Sequence, residues 1–375
     1  VSAADGQITP FLDALFTAAS ASCVTGLVTV STAVHWSVFG KCVILLLIQI
    51  GGLGFMSVAA IASFVLRRTI TLHERMVMSA GLNLSDGGGI VRLTRRVLFG
   101  TFIIEGTGAV LLSCRFVPHY GFPKGITMGV FHAVSAFCNA GFDLMGTPDD
   151  PFQSLIGWAE DPLVNITVMA LIVLGGLGFF VWSDVWDKHS FCRLRLHTKI
   201  VLTATAGLLL FGFGWTLLFE WSNPATLGAF DTPHKLLAAA FESVTLRTAG
   251  FNTIDLGALT GPSQAVSCLL MFIGGSPGST AGGIKTVTAA VLVLTAISAF
   301  CGRTTVSAFG RTIAPRSIMN AVTLLMAGGV LCLVGACAIA GIEDAPFHQC
   351  LFEAVSAFGT VGVSMGLTPT LAAAS

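Results

Sequence analysis

Phe131-His-Ala-Val-Ser-Ala-Phe-Cys-Asn-Ala-Gly141 decides the fold, because the chain contains it in four versions. The first is Phe16-Thr-Ala-Ala-Ser-Ala-Ser-Cys-Val-Thr-Gly26. The third, Phe241-Glu-Ser-Val-Thr-Leu-Arg-Thr-Ala-Gly250, is one residue shorter, and the fourth is Phe352-Glu-Ala-Val-Ser-Ala-Phe-Gly-Thr-Val-Gly362. Their terminal glycines stand 115, 109 and 112 residues apart. A period this constant marks an internal repeat in which each copy is one supersecondary unit.

Each copy closes a short apolar segment, at 10–22, 127–138, 234–246 and 346–358. Between them lie runs near 38–66, 96–117, 162–185, 200–220, 263–300 and 317–341 that reach the roughly 20 residues a helix needs to cross a bilayer. The short segments cannot span. They fit re-entrant half-helices, which are tolerated only when buried in protein or lining a cavity. Of 375 residues, 54% are hydrophobic and 10% charged, and the mean hydropathy is +0.85. Soluble domains carry about 25% charged residues, so the chain reads as an all-α polytopic membrane protein. Nineteen basic against nineteen acidic residues leave no basic face for nucleic acid. The ten cysteines form no CxxC pair, so no metal or redox motif is signalled. No basic segment with a following apolar core opens the chain at Val1, so no signal peptide is expected.

Cations set the orientation. Arg67, Arg68, Arg75, Arg92, Arg95 and Arg96 crowd the link at 67–95 and its edge. Lys188, Arg193, Arg195 and Lys199 follow at 186–199, and Arg303, Arg311 and Arg316 at 301–316. These three links are therefore expected on the cytoplasmic side. The short segments then share the outer face with Asp143, Asp149, Asp150, Glu160, Asp161, Asp231, Asp255, Glu343 and Asp344, whose potential attracts cations.

The chemistry of the glycine-bearing loops is cation coordination. Glycine accepts positive φ, which lets successive carbonyls face one axis, and rings of carbonyls replace the hydration shell of K⁺ in channel filters. Each half-helix directs the negative end of its dipole at the loop that follows. The expected filter is Val24, Thr25 and Gly26; Asn139, Ala140 and Gly141; Thr248, Ala249 and Gly250; Thr360, Val361 and Gly362. Ile50-Gly-Gly-Leu-Gly-Phe55 and Leu174-Gly-Gly-Leu-Gly-Phe179 also repeat, and their small residues allow close helix packing.

The chain resembles the Trk/Ktr/HKT superfamily of potassium transporters, and most of all the Ktr-type membrane subunit. The resemblance rests on Phe11-Leu-Asp-Ala-Leu-Phe-Thr-Ala-Ala-Ser-Ala-Ser-Cys-Val-Thr-Gly-Leu27, Leu47-Ile-Gln-Ile-Gly-Gly-Leu-Gly-Phe-Met56, Phe137-Cys-Asn-Ala-Gly-Phe142, Arg247-Thr-Ala-Gly-Phe-Asn252 and Gly283-Ile-Lys285. It implies four M1-P-M2 repeats around one pore: 1–95, 96–197, 198–316 and 317–375, lacking the first M1 and the last M2. It also implies a homodimer in the plasma membrane of a bacterial cell, with a cytosolic nucleotide-binding (RCK-type) ring as partner. K⁺ is the implied cargo, coordinated by filter carbonyls, with no covalently bound cofactor and nucleotide only on the partner. Relatives with Ser in the first repeat tend to admit Na⁺, and Gly26 argues against that here. Na⁺-coupled symport, or a less selective cation transporter of the same fold, stays open.

Three charges fall at membrane depth: Glu105, Arg247 and Lys285. Such charges are usually paired: Glu105 is expected to be ion-paired, with Arg247 a candidate partner, or a hydrogen-bonded acid, or to act directly in the pore, and Arg247 is expected to brace the third loop. Gln49 is expected to hydrogen-bond between helices and His132 to be a packed histidine. Gly274, Gly275, Ser276, Pro277, Gly278, Ser279, Thr280, Ala281, Gly282 and Gly283, followed by Ile284 and Lys285, interrupt an otherwise apolar helix. Proline and five glycines there disfavour continuous helix, and non-helical backbone at that depth must border a cavity. A loop in the conduction path is expected, and by resemblance it is the intramembrane gate. A membrane-embedded enzyme would need paired aspartates, a Ser/His dyad or HExxH; none is present and Asp184 stands alone, so an enzyme is not expected. The copies all enter from one side, which favours a pore over a carrier built on inverted repeats.

Overall fold

The computed structural model describes residues 3–4, 6, 8–54 and 90–372, with backbone only for 90–93. Arg67, Arg68, Arg75, the Arg92 side chain and the 55–66 end of the first long run lie outside the described residues. In chain order the helices are α1 (Phe11–Ser22), α2 (Val38–Leu53), α3 (Ile90–Tyr120), α4 (Phe122–Phe137), α5 (Pro162–Leu177) and α6 (Phe179–Lys188). They continue as α7 (Leu196–Glu220), α8 (Thr232–Thr245), α9 (Gly261–Phe272), α10 (Thr286–Phe300), α11 (Pro315–Glu343) and α12 (Phe347–Gly359). A hairpin of two-residue strands, β1 (Ser307–Ala308) with β2 (Arg311–Thr312), lies in the third cationic link.

Thr94–Tyr120, Leu196–Glu220 and Pro315–Glu343 are each long and apolar enough to cross a membrane. On α11 the apolar residues Leu324, Met326, Val330, Leu331, Leu333 and Val334 are exposed, a surface that water would not tolerate. The four short helices α1, α4, α8 and α12 have 12 to 16 residues. At 1.5 Å per residue they reach about 24 Å at most, short of a ~30 Å hydrocarbon core.

Two boundaries differ from expectation. Helix α4 begins at Phe122 rather than near 127, because Gly121 (φ 83) breaks the chain and Pro123 suits a first helical turn. The run at 162–185 is not one straight span: α5 and α6 meet at 92°. The pivot is Gly178 at φ 90, a conformation that side chains other than glycine rarely adopt. Gly54 takes the same sign of φ (77) at the end of α2, in the same motif.

Each short helix packs on a neighbouring helix in the chain: α1 on α2, α4 on α3, α8 on α7 and α12 on α11. The helix after each loop then touches the next short helix, α2 on α4, α5 on α8 and α9 on α12. The motif phenylalanines Phe131, Phe241 and Phe352 are buried between these layers, while Phe16 is half-buried. The packing thus hands each copy on to the next.

Candidate functional site

Beyond each short helix the chain passes through two residues with positive φ, separated by one that lacks it. The pairs are Val24 and Gly26 (57 and 88), Asn139 and Gly141 (58 and 70), Thr248 and Gly250 (68 and 86), and Thr360 and Gly362 (51 and 90). Non-glycine residues enter that region only when the surroundings impose it. Here the same two hydrogen bonds do so in every copy. The N–H of the residue before each glycine donates back to the helix end: Thr25 to Ser20 and Ala140 to Ser135 at 2.8 Å, Ala249 to Thr245 and Val361 to Ser356 at 2.9 Å. The third of these spans four residues instead of five, which absorbs its missing residue.

The second bond comes from the side chain of the same residue. Ser20 Oγ donates to the Leu27 carbonyl at 2.7 Å, Ser135 to Phe142 at 2.7 Å, Thr245 to Phe251 at 2.6 Å and Ser356 to Val363 at 2.7 Å. One residue per copy, through its carbonyl and its hydroxyl, therefore clamps the loop on both sides of its glycine. These four residues were not singled out from the sequence. The signal was present, since each stands four places after the motif phenylalanine.

The four glycines form a closed cycle. A Cβ on Gly26 would strike the Ala140 carbonyl oxygen, and one on Gly141 would lie 2.8 Å from that of Ala249. From Gly250 it would lie 2.6 Å from the Val361 oxygen, and from Gly362 it would strike the oxygen of Thr25. Each glycine faces the residue that precedes the glycine of the next copy, and the fourth returns to the first. The four glycines and the residues before them are thus brought together from stretches more than 100 residues apart.

The 274–285 loop leaves α9 and re-enters at α10 through a narrow neck. Gly274 N–H donates to Ile284 O at 2.9 Å, Ile284 N–H to Phe272 O at 3.1 Å and Thr286 N–H to Gly275 O at 3.0 Å. Its body lies against the ring. Thr280 Oγ1 is 3.2 Å from the Phe137 carbonyl and 3.3 Å from the Asn139 amide, and a Cβ on Gly282 would strike the Thr360 side chain. It also interlocks with the bend of α5: Ser276 N–H donates to Gly176 O at 3.0 Å, and Phe179 N–H to Gly278 O at 2.9 Å. Lys285 turns inward, its Nζ donating to Ala281 O at 2.6 Å.

Of the readings of Glu105, the hydrogen-bonded acid is the one that forms, and Arg247 is not its partner. Glu105 accepts from Gln49 Nε2 at 3.1 and 3.2 Å, so Gln49 joins α2 to α3 as an interhelical residue. Arg247 donates through Nη2 to Gly274 O and Thr286 Oγ1. Glu105 sits on α3 beside the second copy, whereas Arg247 points away toward the loop neck, so packing separates them. His132, fully buried, bonds through Nδ1 to Met128 O at 2.8 Å and accepts at Nε2 from Leu144 N–H at 3.3 Å. Asp184 pairs with Lys188, 2.9 Å away, and accepts from Arg195 N–H at 2.8 Å, closing the 186–199 link. The GGLGF glycines pack as expected, since a Cβ on Gly51 or Gly175 would strike the carbonyl of Ser22 or Phe137, the last residues of α1 and α4.

Residues 2–375 match the family model TrkH, described as cation transport protein. The chain is 42% identical over 370 residues to the potassium/sodium uptake protein NtpJ of Enterococcus hirae, covering 98% of this chain and 80% of that protein. It is also 42% identical to the Ktr system potassium uptake protein B of Bacillus subtilis, over 97% of this chain and 80% of that one. The crystal structure of the potassium transporter TrkH from Vibrio parahaemolyticus shares the fold, with a TM-score of 0.71 at 16% identity, over 96% of this chain and 71% of that one.

Proposed function

The chain belongs to the TrkH family of cation transport proteins and is a multi-pass membrane protein, and on that premise we propose that it takes up K⁺ through the ring of four glycine loops. The observation that carries this reading is the closed cycle Gly26, Gly141, Gly250 and Gly362, each against the residue before the next. Four loops of one construction, with alternating φ signs and a hydroxyl clamp, present backbone oxygens to a common centre. Such oxygens replace the water lost by a K⁺ ion on entry. The carboxyl ends of α1, α4, α8 and α12 add negative potential from four sides.

In this reading the four copies are M1-P-M2 repeats, and the 274–285 loop is the gate beneath the filter. It blocks the path by filling the space under Asn139 and Thr360, and it is held there by hydrogen bonds that can open without breaking a helix. The protein acts as a homodimer under a cytosolic nucleotide-binding ring, which would meet the cationic links. The process is translocation and alters no covalent bond.

Flux of Rb⁺ into liposomes containing the purified protein, with and without Na⁺, tests the proposal. Uptake that K⁺ competes for and Na⁺ does not is expected, and it should persist in Na⁺-free buffer. Uptake that vanishes without Na⁺ would favour coupled symport, for which the name of the Enterococcus relative is the supporting observation. Absence of any Rb⁺ flux would overturn the K⁺ reading.

A further inference from the structure

The residue immediately after the motif phenylalanine is Thr17, His132, Glu242 or Glu353. In two copies it braces the loop from behind. His132 receives the N–H of Leu144, three residues past Gly141, at 3.3 Å. Glu353 receives the N–H of Met365, three residues past Gly362, at 3.0 Å, together with the hydroxyls of Ser364 and Thr368 at 2.6 Å.

The first and third copies lack this brace: Thr17 Oγ1 is buried without a partner, and in the third copy the unpartnered group is a carboxyl. Glu242 is 1% exposed, and neither carboxylate oxygen has a hydrogen-bond partner. The residues at the matching loop positions are Asn252 and Thr253, and the side-chain oxygen of each is likewise buried and unpartnered. Glu220 on α7 is near enough to act on Glu242 electrostatically. Its own oxygens are already taken by Asn223, Thr226 and Thr260. Arg247, five residues on, directs Nη2 to Gly274 and Thr286, and among the described residues no cation pairs with Glu242.

A carboxylate withdrawn from water without donors is costly, and proteins avoid it by pairing or neutralising the charge. No direct hydrogen bond joins Glu242 to its loop, although the matching residues of the second and fourth copies are so joined, and a bridging species would satisfy the orphaned oxygens. It has to carry one positive charge and accept hard oxygen ligands. A full carboxylate charge gives a stronger field than the carbonyls of the ring, which favours a smaller ion than K⁺. We propose that Glu242, with the side-chain oxygens of Asn252 and Thr253, holds a non-conducted Na⁺ behind the third loop. The ion braces that loop as the direct hydrogen bonds of His132 and Glu353 brace theirs.

The test is thermal unfolding of the purified protein at saturating K⁺, with Na⁺ titrated against choline at constant ionic strength. The ring is then already occupied by K⁺, so a further rise in midpoint reads a separate site. A saturable Na⁺-dependent rise is expected in the wild type and should be absent in Glu242→Gln. The rise produced by K⁺ alone should persist in both, and its loss would indict the ring rather than this site. A wild type insensitive to Na⁺ at saturating K⁺, or a Na⁺ response that survives in Glu242→Gln, overturns the proposal. Should Glu242→Gln fail to fold, Thr253→Val removes a neutral ligand and should weaken the apparent Na⁺ affinity about tenfold, the equivalent of ~1.4 kcal/mol. Unchanged affinity in that variant also overturns it.

Discussion

Arg247 donates through Nη2 to the carbonyl of Gly274 at 2.9 Å, and to Thr286 Oγ1 at 3.1 Å. The residue just ahead of the third glycine loop is thereby tied to both ends of the 274–285 loop. A rearrangement of one is felt by the other through a single guanidinium.

Lysine in that place would keep the charge, but its shorter side chain falls short of the two acceptors that Nη2 reaches. Arg247→Lys is expected to lower the unfolding midpoint, by the equivalent of about 1.5–3 kcal/mol for a charge-assisted bond. It should also raise Na⁺ permeation relative to Rb⁺. A variant that matches wild type in both measurements would show that the tie has no part in holding the loop.

Gly250 has φ 86, and a Cβ there would lie 2.6 Å from the Val361 carbonyl oxygen. Gly250→Ser should be expressed and assembled, yet prefer K⁺ over Na⁺ less strongly, because the displaced carbonyl belongs to the neighbouring copy. Competition between the two ions for Rb⁺ flux reads this directly. Unchanged relative permeability would count against the ring as the filter.

Deleting several residues of 275–283 should raise K⁺ flux and leave selectivity intact, since Gly26, Gly141, Gly250 and Gly362 remain in place. Lys285→Ala should act in the same direction but more weakly, because Lys285 clasps Ala281 at 2.6 Å within the loop. Its charge would oppose an ion in the path as well. At an effective dielectric of about 20, unit charges 4 Å apart repel by roughly 4 kcal/mol. If the deletion abolished flux in an assembled protein, the loop would be scaffold and not gate.

Glu105 is 5% exposed and depends on Gln49 for its amide donor. Gln49→Leu leaves that carboxyl short of a partner, and a loss of about 1–3 kcal/mol is expected in chemical unfolding. Replacing both, Gln49→Leu with Glu105→Leu, should recover most of that loss, since two apolar groups leave nothing unsatisfied. Additive losses in the double variant would show that the pair is not coupled.

The half-helices and the glycine loops were legible because they are local properties. A dozen apolar residues cannot span a bilayer, and a glycine at the end of such a segment needs only its own φ to be useful. The motif also held the clamp residues Ser20, Ser135, Thr245 and Ser356, which went unread because serine and threonine in apolar helices are common. The bend at Gly178 was missed for a similar reason. Glycines in apolar runs usually serve packing, and Gly51 and Gly175 do so here.

Composition and period alone determined that this chain lies in a membrane, that it carries one short motif in four versions, and that the loop at 274–285 is not helix. These follow from counts of residues and from the conformational limits of proline and glycine. Only the tertiary structure decided that the four glycines close in a cycle, that Glu105 takes Gln49, and that Arg247 reaches Gly274. Each of those partners comes from a separate packed segment, and for Gly26 and Gly362 from opposite ends of the chain. A buried charge or carbonyl takes whatever donor packing brings within about 3 Å, and that distance is set by how the helices stack, not by the spacing of letters along the chain.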